Sequence, residues 1–147
     1  MKPAQRTIVV VAVATLAVDL ASKAWAAASL DEPIEIGASL SLQLAYNPGV
    51  AFGAGQSLPT WLLLALTGAI CAGIAVAGWR GVLVPAVAVG LVLGGAVGNL
   101  LDRMTGGSVV DMIHLTWWPT FNIADVAICV GAALIVVWSL LPERTPA

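Results

Sequence analysis

Charge is scarce in this chain. Of its 147 residues, 10% are charged and 60% are hydrophobic, and the mean hydropathy is +0.98. A soluble domain carries about 25% charged residues, so the composition argues against a water-soluble globule and for one small membrane domain over 1–147. Six Lys and Arg stand against eight Asp and Glu. No basic patch exists, which removes nucleic acid from the expected partners. There is one histidine, His114, and no CxxC or HxxxH spacing, so no metal or cofactor is expected. Cysteine is nearly absent too. Cys71 and Cys129 sit in apolar runs and read as small buried residues, with a disulfide or reactive thiol as the alternative.

Long apolar runs are what the chain does have. They predict an α-helical polytopic membrane protein with four transmembrane helices, at about 7–28, 61–78, 81–102 and 122–141, since about 20 apolar residues cross a bilayer. The N-terminus imitates a secretory signal, with Lys2 and Arg6, an apolar run from Ile8 to Val18, then Ala24-Trp25-Ala26. Asp19 and Lys23 interrupt that pattern before the would-be cleavage site, and the reading is an uncleaved first helix. Small residues repeat every four positions in the second span (Ala65, Ala69, Gly73, Ala77) and the third (Gly90, Gly94, Gly98), each set a candidate packing face. Lys2, Arg6, Arg80 and Arg144 mark three cytoplasmic places by the positive-inside rule, giving an N-in, C-in arrangement. The connections at about 29–60 and 103–121 then face outward.

The first outer connection alternates. Ile34, Ile36, Leu40, Leu42, Leu44 and Tyr46 recur at period two, which predicts a small extramembrane β element between helices 1 and 2. Its apolar face would rest on the membrane or hold a lipid-bearing partner; a plain surface hairpin is the alternative. Asn47-Pro48-Gly49 ends it with a turn signal.

Polar residues gather between Gly94 and Asp125: three aspartates, two asparagines, Arg103 and His114. Ionisable groups in a membrane are expensive and persist where they pair or act. At 1.5 Å per residue, Asp19 and Lys23 lie about 20 and 26 Å along the first span. Counted from Gly81, Asn99 and Asp102 lie about 27 and 32 Å along the third. Asp125 opens the fourth. All therefore reach one outer layer. Asp19 with Lys23, and Asp102 with Arg103 or Lys23, can pair as helix-locking ions.

Asp111 and Asp125 differ, because neither has a cation within four residues. Two carboxylates brought together share a proton. The ionised one can activate water while the protonated one polarises a carbonyl, which is the aspartic-protease pattern. Asp125, near the positive end of a helix dipole, is the better candidate for the ionised member. Asn122 can cap the fourth helix or orient the pair. His114 reads as an interfacial residue beside Trp117 and Trp118. Ser22 and Lys23 are adjacent on a helix and diverge, which argues against a Ser/Lys dyad.

These residues bring the chain close to a known family. Asp19-Leu-Ala-Ser-Lys23, Asn47-Pro-Gly-Val-Ala-Phe52, Gly94-Gly-Ala-Val-Gly-Asn-Leu-Leu-Asp-Arg103, Val109-Val-Asp111 and Phe121-Asn-Ile-Ala-Asp125, in that order, resemble the bacterial lipoprotein signal peptidases (signal peptidase II) over nearly the whole chain. The resemblance implies a multi-pass aspartic endopeptidase of the bacterial cytoplasmic membrane, acting as a monomer. It would cleave diacylglyceryl prolipoproteins just before the lipid-bearing cysteine. Asp111 and Asp125 would be catalytic, Asn47 and Arg103 would bind the substrate backbone, and Asp19, Lys23, Asn99, Asp102 and Asn122 would support the site. The strands after Ile34 would form a substrate cradle, where a globomycin-type inhibitor would also sit. One departure stands out: Asp111 and Asp125 are 14 positions apart, a shorter interval than the family's, which should alter substrate access more than chemistry.

A proton-coupled transporter using the same acids, or a structural subunit, is the competing reading. A transporter needs polar groups through the full membrane thickness, and the inner halves of these spans are nearly free of them. Two partnerless aspartates are hard to justify as packing devices.

Overall fold

The structure is a computed structural model that describes residues 1–49 and 59–141. The expectations placed on Val50, Ala51 and Phe52, and on Pro142, Glu143 and Arg144, lie outside the described residues. Among the described residues four helices are long and apolar enough to cross a membrane: α1 (Pro3–Ser29), α2 (Thr60–Trp79), α3 (Ala86–Gly106) and α4 (Ile123–Leu140). Four strands accompany them among the described residues: β1 (Ile34–Gly37), β2 (Leu40–Asn47), β3 (Val109–Leu115) and β4 (Trp118–Phe121).

Helix α3 is the central element. Half of its apolar window is buried, against 17% in each of the other three helices. Its glycines explain this. A Cβ at Gly94 would lie 2.5 Å from the Ala12 carbonyl oxygen, one at Gly90 2.9 Å from that of Ile8, and one at Gly98 would meet the Asp19 carboxylate. This Gly90–Gly94–Gly98 face packs on α1 as its spacing predicts. A second face packs on α4, where a Cβ at Gly95 would meet the Ala124 carbonyl, and Gly131 of α4 answers against that of Ala88. Without a hydrophobic drive between helices in lipid, such backbone approach is what association rests on.

The matching stripe in α2 does not pack. Nothing lies within 4 Å of a Cβ at Gly73, and Ala65 and Ala69 are exposed. The contact is made instead by Gly78, whose Cβ would strike Val89 of α3. A four-residue repeat of small side chains permits close approach but does not choose the face that is used.

The third helix also begins later than its apolar run. Pro85 is extended (φ −75°, ψ 153°) and the helix starts at Ala86, because a residue ahead of proline is driven out of the helical region. It ends at Gly106, with Gly107 in the left-handed region (φ 72°) donating its N–H to the Arg103 carbonyl at 3.1 Å. Counted from Ala86, Asn99 lies about 20 Å along its helix, and the approach of the neighbouring Gly98 to the Asp19 carboxylate puts it at the level of Asp19. Helix α1 starts at Pro3, suited to a first helical turn, and Asn122 is the N-cap of α4 rather than its first residue.

The β element is larger than the alternation after Ile34 predicts. Both long connections feed one antiparallel sheet in the order β1-β2-β3-β4. Strand β3 runs against β2 with Ala45 opposite Asp111 and Asn47 opposite Val109, and a bulge falls between Leu42 and Ala45. The sheet rests on the end of α1, where Ala26, Leu30 and Met112 are buried with Leu42, Leu44, Val110 and Ile113 against them. Strand β1 is exposed along its length, including Ile34 and Ile36.

Two glycine substitutions separate the packing faces. Gly94→Ala should lower the unfolding temperature in detergent, by the equivalent of about 1–3 kcal/mol of overpacking. Gly73→Ala should leave it unchanged or raise it, since glycine costs a helix interior about 0.5–1 kcal/mol relative to alanine. Equal effects at both sites would contradict the packing described.

Candidate active site

The polar residues read from sequence meet where the helix ends reach the sheet. Lys23 is 4% exposed, and its ammonium lies 2.7 Å from Asp19 Oδ2 and 2.9 Å from Asp102 Oδ2. It also donates to Asn99 Oδ1 at 2.9 Å. Asp102 therefore takes its counter-charge from Lys23 across the α1–α3 contact, not from its neighbour Arg103. Consecutive helical residues point about a quarter-turn apart, and Arg103 leaves on the other side. Each acid also receives a backbone N–H: Asp19 does so on its other oxygen, where Oδ1 accepts the Ala124 N–H at 2.9 Å in the first turn of α4, a place that favours a carboxylate. Asp102 Oδ2 also accepts the Val110 N–H at 3.1 Å and so fastens β3.

Two amides carry this frame to the two remaining aspartates. Asn122, fully buried, caps α4 by accepting the Asp125 N–H on its Oδ1 at 2.9 Å, and Asp125 Oδ2 accepts the Asn122 N–H at 3.3 Å. With its oxygen committed to the cap, its NH2 group faces Asp111 Oδ1 at 2.7 Å, Asn99 Oδ1 at 3.1 Å and the Val110 carbonyl at 3.3 Å. Asn99 is fixed likewise. Its oxygen faces the Lys23 ammonium, so its NH2 donates to Asp125 Oδ1 at 2.9 Å. Asp111 on β3 is 2% exposed, while Asp125 is partly open. The pair without local cations is thus brought together by a sheet and a helix cap.

Asn47 and Arg103 reach the same place from another side. Asn47 donates to Asp111 Oδ2 at 3.3 Å while its own oxygen accepts the Gly49 N–H at 3.0 Å. Arg103 donates to the Asn99 carbonyl at 3.2 Å and to the Gly49 carbonyl at 2.6 Å. Its Nε is buried and has no hydrogen-bond partner among the described residues. The turn that ends β2 is therefore tied into the site at both of its polar anchors.

Asp125 opens onto two adjoining apolar cavities. One, of about 310 Å³, is lined by Leu115, Trp117, Trp118 and Phe121 of the β3–β4 hairpin and by Val126, Cys129 and Val130 of α4. The other, of about 240 Å³, runs under β4 towards Asn47. Trp117 and Trp118 stand edge to face, with ring centroids 5.7 Å apart. Cys129 corrects the expectation of a buried residue: it is exposed, unpaired, and lines both cavities. Its position four residues after Asp125, on the same helical face, was the signal for this. His114 faces Thr120 on β4, Nδ1 to Oγ1 at 3.1 Å. Among the described residues, no three His, Cys, Asp or Glu stand together as a metal set.

Burial pushes the Asp111 carboxyl up from 3.8 to about 6, and the negative charge of Asp125 adds to this. Hydrogen bonds from Asn122 and Asn47 and the Lys23 ammonium oppose it. A carboxyl made harder to ionise by burial and by a second carboxylate beside it is what a shared-proton pair requires.

Fold and site together define a multi-pass membrane protein with a paired-carboxylate centre where helices meet sheet. The family model for signal peptidase II matches residues 11–141. A lipoprotein signal peptidase of Rhodococcus jostii is 41% identical, over 90% of this chain and 71% of its own length. One from Methylorubrum extorquens is 38% identical, over 96% and 90%. A solved bacterial membrane enzyme, 24% identical and covering 96% of this chain and 94% of its own, shares the fold with a TM-score of 0.84. The chain belongs to the signal peptidase II family.

The raised Asp111 carboxyl has a consequence for stability. The folded protein binds this proton more tightly than the unfolded chain, so between pH 3.8 and about 6 the native state holds more protons. Stability from this group is greatest at low pH and falls as pH rises through about 6. Thermal unfolding should show this loss in the parent protein and lack it in Asp111→Asn; the same slope in both would assign it elsewhere.

Proposed function

We propose that this chain is an aspartic endopeptidase that removes signal peptides from diacylglyceryl prolipoproteins, cutting before the lipid-bearing cysteine. The observation that carries the reading is the Asp111–Asp125 pair, held by Asn122 and Asn99 and opening on apolar cavities, in a chain of this family. Asp125, partly open and at the start of a helix, removes a proton from the attacking water. Asp111 polarises the scissile carbonyl with its own proton. Entry of an apolar substrate strips water from Asp111 and raises its carboxyl further, which keeps that proton in place. The tetrahedral intermediate then collapses as the proton gathered on Asp125 passes to the leaving amine.

Arg103 and Asn47 stand beside the pair as donors for substrate carbonyls; the unpartnered Nε of Arg103 supports this for the arginine. Asp19, Lys23, Asn99, Asp102 and Asn122 hold the geometry. The cationic ends Lys2, Arg6 and Arg80 support an N-in, C-in arrangement in the bacterial cytoplasmic membrane, with the sheet outside. A globomycin-type peptide would occupy the groove beside Asp125, and the enzyme would act as a monomer. A carrier is disfavoured because the site's ion pairs and amide bonds gather at one level of the helices.

Replacement of either aspartate tests the chemistry. Asp111→Asn and Asp125→Asn should each lower kcat on a diacylglyceryl prolipoprotein about a hundredfold or more. Processing at the parental rate by either variant would refute the pair. Asp102→Asn, by contrast, should act mainly on unfolding temperature. Cleavage should also continue undiminished in EDTA, and sensitivity to the chelator would count against a metal-independent mechanism.

A further inference from the structure

The larger of the two cavities at Asp125 has an apolar neighbour along α4. Its α4 wall, Val126 and Val130, also lines a third apolar cavity of about 520 Å³ in the cleft between α1 and α4. The α1 side of that cleft is Val10, Val11, Ala14, Thr15 and Val18. From Val18, beside Asp19, to Val10 the cleft runs about 12 Å along the helix. A bilayer's hydrocarbon core is about 30 Å thick, so that length covers most of one leaflet. Across Val126 and Val130 from the cavity at Asp125, the cleft thus descends from the level of Asp19 to near mid-membrane without a charged lining residue. The cavity on the other side of Asp125 leads to Asn47 and the sheet and offers no such descent.

We infer that the α1–α4 cleft is a subsite for one acyl chain of the substrate's own diacylglyceryl group, and that Ala14, Val18, Val126 and Val130 set the chain length accepted. This rests on the peptidase reading. In that reaction the lipid hangs from the residue directly after the scissile bond. Its chains must therefore leave the pair through an apolar opening within one side chain's reach. The cleft past Val126 adjoins the cavity at Asp125 and runs in the direction a chain anchored at the membrane surface must take. Bulk lipid occupying the cleft instead would make it indifferent to the substrate.

The experiment compares kcat/KM on two synthetic prolipoprotein peptides of the same sequence, one with long and one with short acyl chains. Ala14 is exposed on the lipid side of α1, so a larger side chain there enters the cleft without entering the helix core. Ala14→Phe should reduce the long-over-short selectivity about tenfold, chiefly through KM, the scale on which small changes in an apolar pocket discriminate substrates. Leu66→Phe, on the exposed face of α2, serves as the control and should not change the ratio. An unchanged ratio in Ala14→Phe, with folded protein, overturns the subsite. If that variant does not fold, a long-chain peptide with a photoreactive terminal carbon replaces it. Labelling of Val10–Ala14 supports the subsite, and labelling confined to α2 overturns it. Parental protein that cleaves neither peptide would overturn the peptidase reading itself, a result separable from loss of selectivity alone.

Discussion

A buried ammonium holds this structure together. Lys23 is enclosed between α1 and α3 and satisfied by Asp19, Asp102 and Asn99. Desolvating a lone charge costs several kcal/mol, so each partner's position is constrained by the need to compensate it. Asp19 in turn seats the first turn of α4 through the Ala124 N–H, and Asp102 seats β3 through the Val110 N–H. One cation thereby fixes where a helix and a strand arrive, and these are the elements that carry Asp125 and Asp111. The glycine faces of α3 let the backbones approach; the lysine decides at what height they stop.

The same cation sets the direction of hydrogen bonds. An amide can face an ammonium only with its oxygen, so Lys23 turns the NH2 of Asn99 towards Asp125. The helix cap does the same for Asn122 and turns its NH2 towards Asp111. Both carboxylates therefore receive donors whose orientation is settled by an ammonium and a helix cap. Arg103, adjacent in sequence to Asp102, belongs to a different circuit, that of the turn after β2.

The four spans, the Asp19–Lys23 pair and the isolation of Asp111 and Asp125 from cations were legible in the sequence because each depends on local spacing. Helix α3 beginning at Ala86 was legible too, had Pro85 been weighed above the apolar run. What spacing could not show is partner choice. Ala65, Ala69 and Gly73 have the same period as Gly90, Gly94 and Gly98, yet only the second set meets another helix. Lys23 rather than Arg103 neutralises Asp102 because side-chain direction, not chain distance, decides a helical contact. Strands β3 and β4 were missed for a related reason. Val109–Leu115 carries a buried aspartate and a histidine where a simple alternation would place apolar residues, and its identity as a strand comes from pairing with β2.

That pairing also explains how the short interval between the aspartates serves. Strand β3 leads from Asp111 to Leu115, two residues turn, β4 returns to Phe121, and Asn122 caps the helix that carries Asp125. Ile113 pairs with Phe121 and Leu115 with Trp118. The pair's geometry is therefore fixed at the open end of the hairpin, through the Asn122 bonds. The turn at 116–117 lies at the far end, and residues added or removed there would leave those bonds alone. Trp117 and Trp118 of that tip line the cavity beside Asp125. Hairpin length thus acts on the wall of that cavity, and the geometry of the pair stays with the helix cap.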